Sequence, residues 1–361
     1  MKTGKSITEL AAEIARQANS RHDYIADTRT IGLDAVGGGD IVLDMADHGP
    51  APLNDLAHGQ IADHVGIPAK YYNRMRAESA ELLTANVNHW FAAQPQKRMI
   101  RTLDTRVRAF LSDRYRALEN HDLAEAVLPV IAGRGLEVMS CEMTERRLYI
   151  KAVDASVVRE INGRRIVDGR SVDFDSVSPS VVISNSEVGV GALSVELGMY
   201  THDCRNMALF RDKSLRKYHV GARLEAVDGV VAMLSDRTQR LTDAAIWSQV
   251  RDVVAGALNP DHFEGMVGEI RGMREQRITS VDIPKVVEVA SKRFDLQEGE
   301  KKSVLRHLIE GGDLSRYGLF NALTRTAEDA GDYDRATDLE RVGGQLIELP
   351  SNDWRRIAEA A

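Results

Sequence analysis

Hydrophobic and polar positions along this 361-residue chain change their period twice. Near the start, Ile7, Leu10, Ala11, Ile14 and Ala18 recur at three- and four-residue spacing, which predicts a helix with one apolar stripe. Ser6 and Glu9 precede it at the spacing of a capping box. Gly37-Gly38-Gly39 then separates two short apolar pieces and predicts a hairpin or flexible turn. It lacks the lysine and the helix start of a phosphate loop. In "HVGIPAKYYNRMRAESAELLTANVNHWF", Pro68 opens a helix along which Tyr71, Tyr72 and Met75 are expected to pack.

From about Gln96 the pattern alternates. "KRMIRTLDTRVRAFLSDRYRAL" predicts two short strands around a turn at Asp104-Thr105. In the second, Val107, Ala109 and Leu111 face one way, Arg106, Arg108 and Phe110 the other. A helix follows, with Asn120 as candidate N-cap and Gly133 and Gly135 as its stop. "LEVMSCEMTERRLYIKAVDA" predicts a hairpin, and the segment ending "SVVISNSEVGVGALSVELGMYTHD" two more strands. Gly189, Gly191 and Gly198 there suit a bulge or a close backbone approach. After about Glu225 the period is helical almost to the end, with Thr242 as one cap and Pro284 in the first turn of another helix. The expected fold is α+β: a central, mainly antiparallel sheet with packed helices and a helical C-terminal region. Its segments are residues 1–95 (α/β), 96–224 (sheet core) and 225–361 (helices), with a weak candidate linker at Gly256–Pro260.

Composition narrows the class. Hydrophobic residues are 43% and charged residues 28%, enough for a sizeable core. Two cysteines, Cys141 and Cys204, are too few for a disulfide framework and fit a reducing compartment. The amphipathic start carries Glu9 and Glu13, unlike a signal peptide, and no apolar run approaches the ~20 residues of a membrane span. A cytoplasmic protein without membrane contact is expected. Net charge is −7, which argues against a polyanion partner until its distribution is considered. Lys97 to Leu118 holds seven bases against Asp104 and Asp113, and Arg205 to Arg223 holds six against Asp212. After Thr324 there are nine acids against five arginines. Local field steers a charged partner more than net charge does.

Three chemistries compete. His202, Cys204 and His219, near Asp203, Asp173 and Asp175, offer zinc or magnesium ligands, but not at the paired spacing of a structural zinc site. Ser184 and Ser186 lack the Gly-x-Ser-x-Gly elbow of an acyl-transfer enzyme. No catalytic residue, metal ligand or cofactor is therefore assigned, and enzyme chemistry is the less favoured reading. Single-strand binding needs a basic groove with rings that stack on bases. Arg101, Arg106, Arg108, Phe110, Arg114, Tyr115 and Arg116 fit that prescription, with Arg211, Lys213, Arg216 and Lys217 adding phosphate contacts.

Three stretches carry a resemblance. "YYNRM…NHWF…VRAFLSDRYRALENHDLAEAVLPV", "ISNSEVGVGALSVELGMYTHDCRN" and "GLFNALTRTAED…YDRATDLERVGG" resemble the domain of unknown function 932 family, over roughly Ile67 to Gly344. That family follows its cysteine with an asparagine-containing turn; here Asn206 matches with Arg205 interposed. The resemblance implies a phage, prophage or plasmid protein. The strand–strand–helix–hairpin order also resembles the ring-forming single-strand annealing recombinases of phages. The expected function is non-sequence-specific nucleic-acid binding, with single-stranded DNA annealing in recombination or replication by a homo-oligomer. Two alternatives stay open: a structural or regulatory protein–protein interaction protein of a mobile element, and a metal-dependent enzyme acting on phosphoesters.

Overall fold

The computed structural model describes the chain except residues 38, 47, 168–169, 203–204, 218–235, 257–258 and 361, and it describes residues 162–174, 211–217 and 236–240 by backbone alone. Helix α1 (Ile7–Ser20) has the complete Ser6–Glu9 capping box and buries Leu10 and Ile14, while Ala11 stays exposed. Strand β1 (Arg21–Asp27) follows, then the hairpin β2 (Ile31–Val36) and β3 (Asp40–Met45), with β4 (Gly49–Pro52) completing a three-stranded antiparallel sheet. Its turn is the triple-glycine segment, where Gly39 takes a positive φ of 90°. Helices α2 (Asp55–His64), α3 (Ala69–Glu78) and α4 (Ala80–Ala93) lead to β5 (Lys97–Leu103) and β6 (Arg106–Ser112). Asp104 and Thr105 turn between these strands with positive φ. The strands form a second sheet, ordered β1-β5-β6. Residue 96 therefore divides elements that share a sheet.

Helix α5 (Asn120–Gly133) starts one residue earlier than expected, its N-cap being Glu119 rather than Asn120. The large sheet comes next: β7 (Glu137–Met143), β8 (Leu148–Val153), β9 (Arg159–Val167), β10 (Arg170–Asn185), β11 (Leu193–Thr201) and β12 (Asn206–Lys217). Its order is β12-β11-β10-β8-β7, with β9 also pairing β10. The boundary at residue 224 lies outside the described residues. Helices α6 (Asp236–Gly256), α7 (Pro260–Met273), α8 (Ile283–Phe294), α9 (Glu298–Gly311), α10 (Arg316–Asp329), α11 (Tyr333–Ile347) and α12 (Ser351–Ala358) complete the chain. Thr242 is interior to α6, six residues past its start, so it is not a cap. The α+β class stands, with helices gathered towards the C-terminus.

Three cores result. One joins β1, β2–β6 and α2–α4. Another lies between α1, α5, α6 and one face of the large sheet. The third packs α7–α12 against β9–β12. Both faces of the large sheet are thus covered. Along β8, Leu148, Ile150 and Ala152 face the α5 side, while Tyr149, Lys151 and Val153 face α11, so every residue of the strand is buried. The α11 face is unusually polar. Lys151 Nζ pairs with Glu340 at 2.6 Å, and Arg341 pairs with Glu196 at 2.6 Å. Tyr149 donates to Asp334 at 2.8 Å.

Contact between α11 and β12 is set by two glycines. A Cβ on Gly344 would lie 1.8 Å from the Leu209 carbonyl oxygen, and one on Gly343 2.4 Å from the Thr324 methyl. Gly198 lies beside the register shift at Glu196/Leu197, and its Cβ would come 2.7 Å from the Ala208 carbonyl oxygen. Gly344→Ala must push helix and strand apart, so it is expected to destabilise by about 1–3 kcal/mol. Urea unfolding of that variant beside Gly256→Ala, where nothing lies within 4 Å, checks the point; equal midpoints would refute the close approach.

Candidate functional site

The arginines expected to meet a ligand are placed very differently from one another. Arg101, on β5, is fully buried (0% exposed). Its guanidinium donates to Asp23 at 2.8 Å, to Glu119 at 2.8 Å and to the Glu187 carbonyl at 2.7 Å. Arg108 pairs with Glu187 at 2.8 Å, and Arg21 reaches Glu119. These charges form a junction between the β1-β5-β6 sheet, the start of α5 and the turn after β10. Glu119 and Glu187 share a hydrogen bond within it. Burial pushes the Glu119 carboxyl up to about 7. Burial also opposes the charge on Glu187, but Arg108, the bond from Glu119 and the Asn120 N–H outweigh it and hold that group down at about 2. The two carboxyls therefore titrate as a coupled pair. Arg101 and Arg108 are structural, and the expectation that they bind nucleic acid is corrected by the carboxylates that enclose them.

The expected stacking rings are also internal. Phe110 is 1% exposed, stacked on Phe91 at 5.7 Å with the Arg98 guanidinium 5.1 Å from its centroid. Tyr115 packs beside Leu111 and Val188 and donates to the Ser186 carbonyl at 3.0 Å. Phe110 cannot stack on a base in this fold, and its assignment is corrected; Tyr115 is half-buried and held by its packing and its bond to the Ser186 carbonyl. The expected alternation in β6 is broken by a register shift at Arg108: Val107 and Phe110 both turn to the α2–α4 core, while Ala109 and Leu111 turn to a second apolar cluster, and both sides are covered. Arg116 pairs with Asp243. Arg114 and Arg106 are exposed. The backbones of Arg211, Lys213, Arg216 and Lys217 lie in β12, and their side chains lie outside the described residues.

The enzyme candidates disperse as well. Ser184 Oγ bonds Ser194 Oγ at 3.0 Å, and Ser186 donates to the Arg146 carbonyl at 2.8 Å. Asp175 is buried and accepts from Tyr317, while the Asp173 side chain lies outside the described residues. His202 Nε2 lies 2.7 Å from Ser178 Oγ; Asp203, Cys204 and His219 lie outside the described residues. Burial pushes the Cys141 thiol up to about 12, which leaves it inert. Among the described residues no group of three or more His, Cys, Asp or Glu is arranged to hold a metal.

Two large concavities stand out among the described residues. One, of about 850 Å³, lies between the β7–β8 turn and α9–α11 and is lined by six carboxylates and three arginines. Glu300 grips Arg335 with both oxygens, and Asp329 takes Arg306 and His307. Its sign repels a polyanion. The other, of about 970 Å³, lies between α2, α3, the start of β6 and the β2–β3 hairpin. Arg76 and Arg106 line it, with Asp40 and Asp55, over Val42, Leu53 and Ala62. Arg76 donates to Asp55 at 2.8 Å, and Arg106 makes one long bond of 3.4 Å to the Leu53 carbonyl. His58 Nδ1 and Tyr72 Oη lie 3.0 Å apart. Burial, with Arg76 adding to it, pushes the His58 imidazole down to about 4, so the ring is neutral at physiological pH.

On the outer side of α3, Lys70, Tyr71 and Arg74 are exposed, Tyr71 at 48%. Sequence reasoning grouped Tyr71 with Tyr72 and Met75. At 100° per residue, however, Tyr72 and Met75 share the buried face and Tyr71 and Arg74 the outer one. The signal lay in the helical period of "KYYNRMR", one turn of which alternates inside and outside.

Comparison with protein-family models, curated proteins and solved structures finds no match.

Removing a buried partner costs far more than removing a surface charge. Arg101→Ala is expected to destabilise by about 3–5 kcal/mol, and Arg114→Ala by no more than about 0.5 kcal/mol. Thermal melts of the two variants check this; equal, small shifts would show that the junction holds nothing together.

Proposed function

We propose that this protein binds single-stranded nucleic acid without sequence preference, along the outer face of α3 and the mouth of the cleft behind it. One observation carries the reading: Tyr71 stands exposed on α3 with Lys70 and Arg74 beside it, and the opposite side of the same helix lines a cleft with Arg76, to which Arg106 adds. A ring with cations beside it is what a flexible anionic chain with flat bases requires. Of the arginines the sequence pattern suggested, Arg106 lines this cleft, and Arg114 is exposed on the turn after β6. The rest of the reading follows the two resemblances: the domain of unknown function 932 family suggests a phage- or plasmid-type protein, and the ring-forming single-strand annealing recombinases suggest DNA annealing in recombination or replication by a homo-oligomer. Among the described residues no helix is long and apolar enough to cross a membrane.

Each cation that neutralises a phosphate contributes about −0.7 to the slope of log affinity against log salt for a single strand. Lys70→Ala, Arg74→Ala and Arg106→Ala should each weaken oligonucleotide binding for all sequences alike and flatten that slope by about this increment. Tyr71→Ala should lose roughly 1–3 kcal/mol of binding with the slope unchanged. Fluorescence anisotropy titrations across salt concentrations read both quantities. Absence of oligonucleotide affinity at low salt would refute the proposal.

A further inference from the structure

Gly59 sits in the middle of α2 and lines the cleft. A Cβ built there meets nothing within 4 Å. Helix propensity disfavours glycine at an interior position where a larger residue fits. No contact demands its small size, so the effect of the missing side chain is to keep the cleft open. The cavity, about 970 Å³, lies at the upper end of the range of small-ligand sites. Its polar groups divide into two kinds. His58 and Asn73 offer uncharged hydrogen-bonding edges, whereas Arg76 and Arg106 offer charge.

Resting on the nucleic-acid reading above, we propose that this cleft captures one unstacked nucleobase of the bound strand, with the adjoining phosphate held by Arg106 and Arg76. The apolar surfaces of Val42, Leu53 and Ala62 suit the faces of a flat heterocycle. Arg76 commits a single donor to Asp55 and Arg106 a single long one to Leu53, so each guanidinium retains further N–H groups for a phosphate. A small inorganic anion gains little here, because Asp40 and Asp55 balance the two arginines. A polymer gains more: its base buries apolar surface, and its next phosphates meet Lys70 and Arg74. A base paired in a duplex must first be unpaired and unstacked to enter, so the cleft selects for single strands.

The test compares oligo-thymidylate with a strand of the same length built wholly of abasic sites, on the full chain and on Gly59→Leu. In the unaltered protein the abasic strand should bind more weakly by two factors together, one for the base stacked on Tyr71 and one, roughly 5- to 150-fold, for the captured base. In Gly59→Leu, whose side chain fills open space in a helix, the melting temperature should not fall, and the preference for the thymidylate strand should shrink by about the captured base's factor, to what stacking on Tyr71 alone supplies. Equal binding of both strands to the unaltered protein would overturn base capture while leaving nucleic-acid binding intact. Persistence of the full difference in folded Gly59→Leu would overturn this cleft as the place of capture. If neither strand binds, the underlying functional reading falls and the inference with it. The strand comparison on the unaltered protein needs no variant, so the proposal stays open to refutation even if Gly59→Leu misfolds.

Discussion

The fold turns on a buried ionic junction. Arg101, with no exposed surface, is held by Asp23, Glu119 and the Glu187 carbonyl, and Arg108 and Arg21 complete the set. Taking such charges out of water is costly, and it is offset only when every partner is present in good geometry. The junction therefore fixes several elements at once. It sets the β1-β5-β6 sheet against α5, it uses Glu187 to accept from the Asn120 N–H at the start of α5 at 2.8 Å, and it holds the turn after β10. It also withdraws three arginines from any external ligand. What this part of the chain can present to a partner is what the junction leaves over: Arg106 at the far end of β6, Arg114 on the following turn, and the outer side of α3.

A second polar layer performs a comparable task on the other side of the large sheet. Lys151 and Glu340 are both fully buried, and the Lys151 ammonium also sits 4.6 Å over the Tyr333 ring. With Glu196–Arg341 and Tyr149–Asp334, this pair positions α11 where Gly343 and Gly344 allow the helix backbone to reach β12. Many of the acids that make the C-terminal region so negative are thereby engaged inside it. Their excess faces the groove along α9–α11, away from the basic surface of α3.

Local elements were legible in the sequence because their determinants are local. The Ser6–Glu9 box, the Asp104-Thr105 turn, the triple-glycine hairpin and Pro284 in the first turn of α8 all act within a few residues. Burial was not legible, because it is decided by distant partners. Alternation in β6 separated Phe110 from Leu111, but it could not reveal the register shift at Arg108 that puts Val107 with Phe110, or that both sides of the strand are covered. Nothing near Arg101 announces Asp23 or Glu187, which stand 78 and 86 positions away. Phe110 and Tyr115 had the right residue type for stacking and the wrong environment. Tyr71 had both, and the 100° step of the expected helix itself separates it from Tyr72.

The central claim is that nucleic acid meets the protein at α3 and the cleft behind it rather than on the basic strands. Amide hydrogen exchange with and without a short single strand tests it most directly. The account predicts added protection confined to α2, α3 and the β2–β3 hairpin, with β5, β6 and α5 unchanged because they already lie inside the junction. Protection centred on β11 and β12, or on the acidic groove at α9–α11, would contradict it.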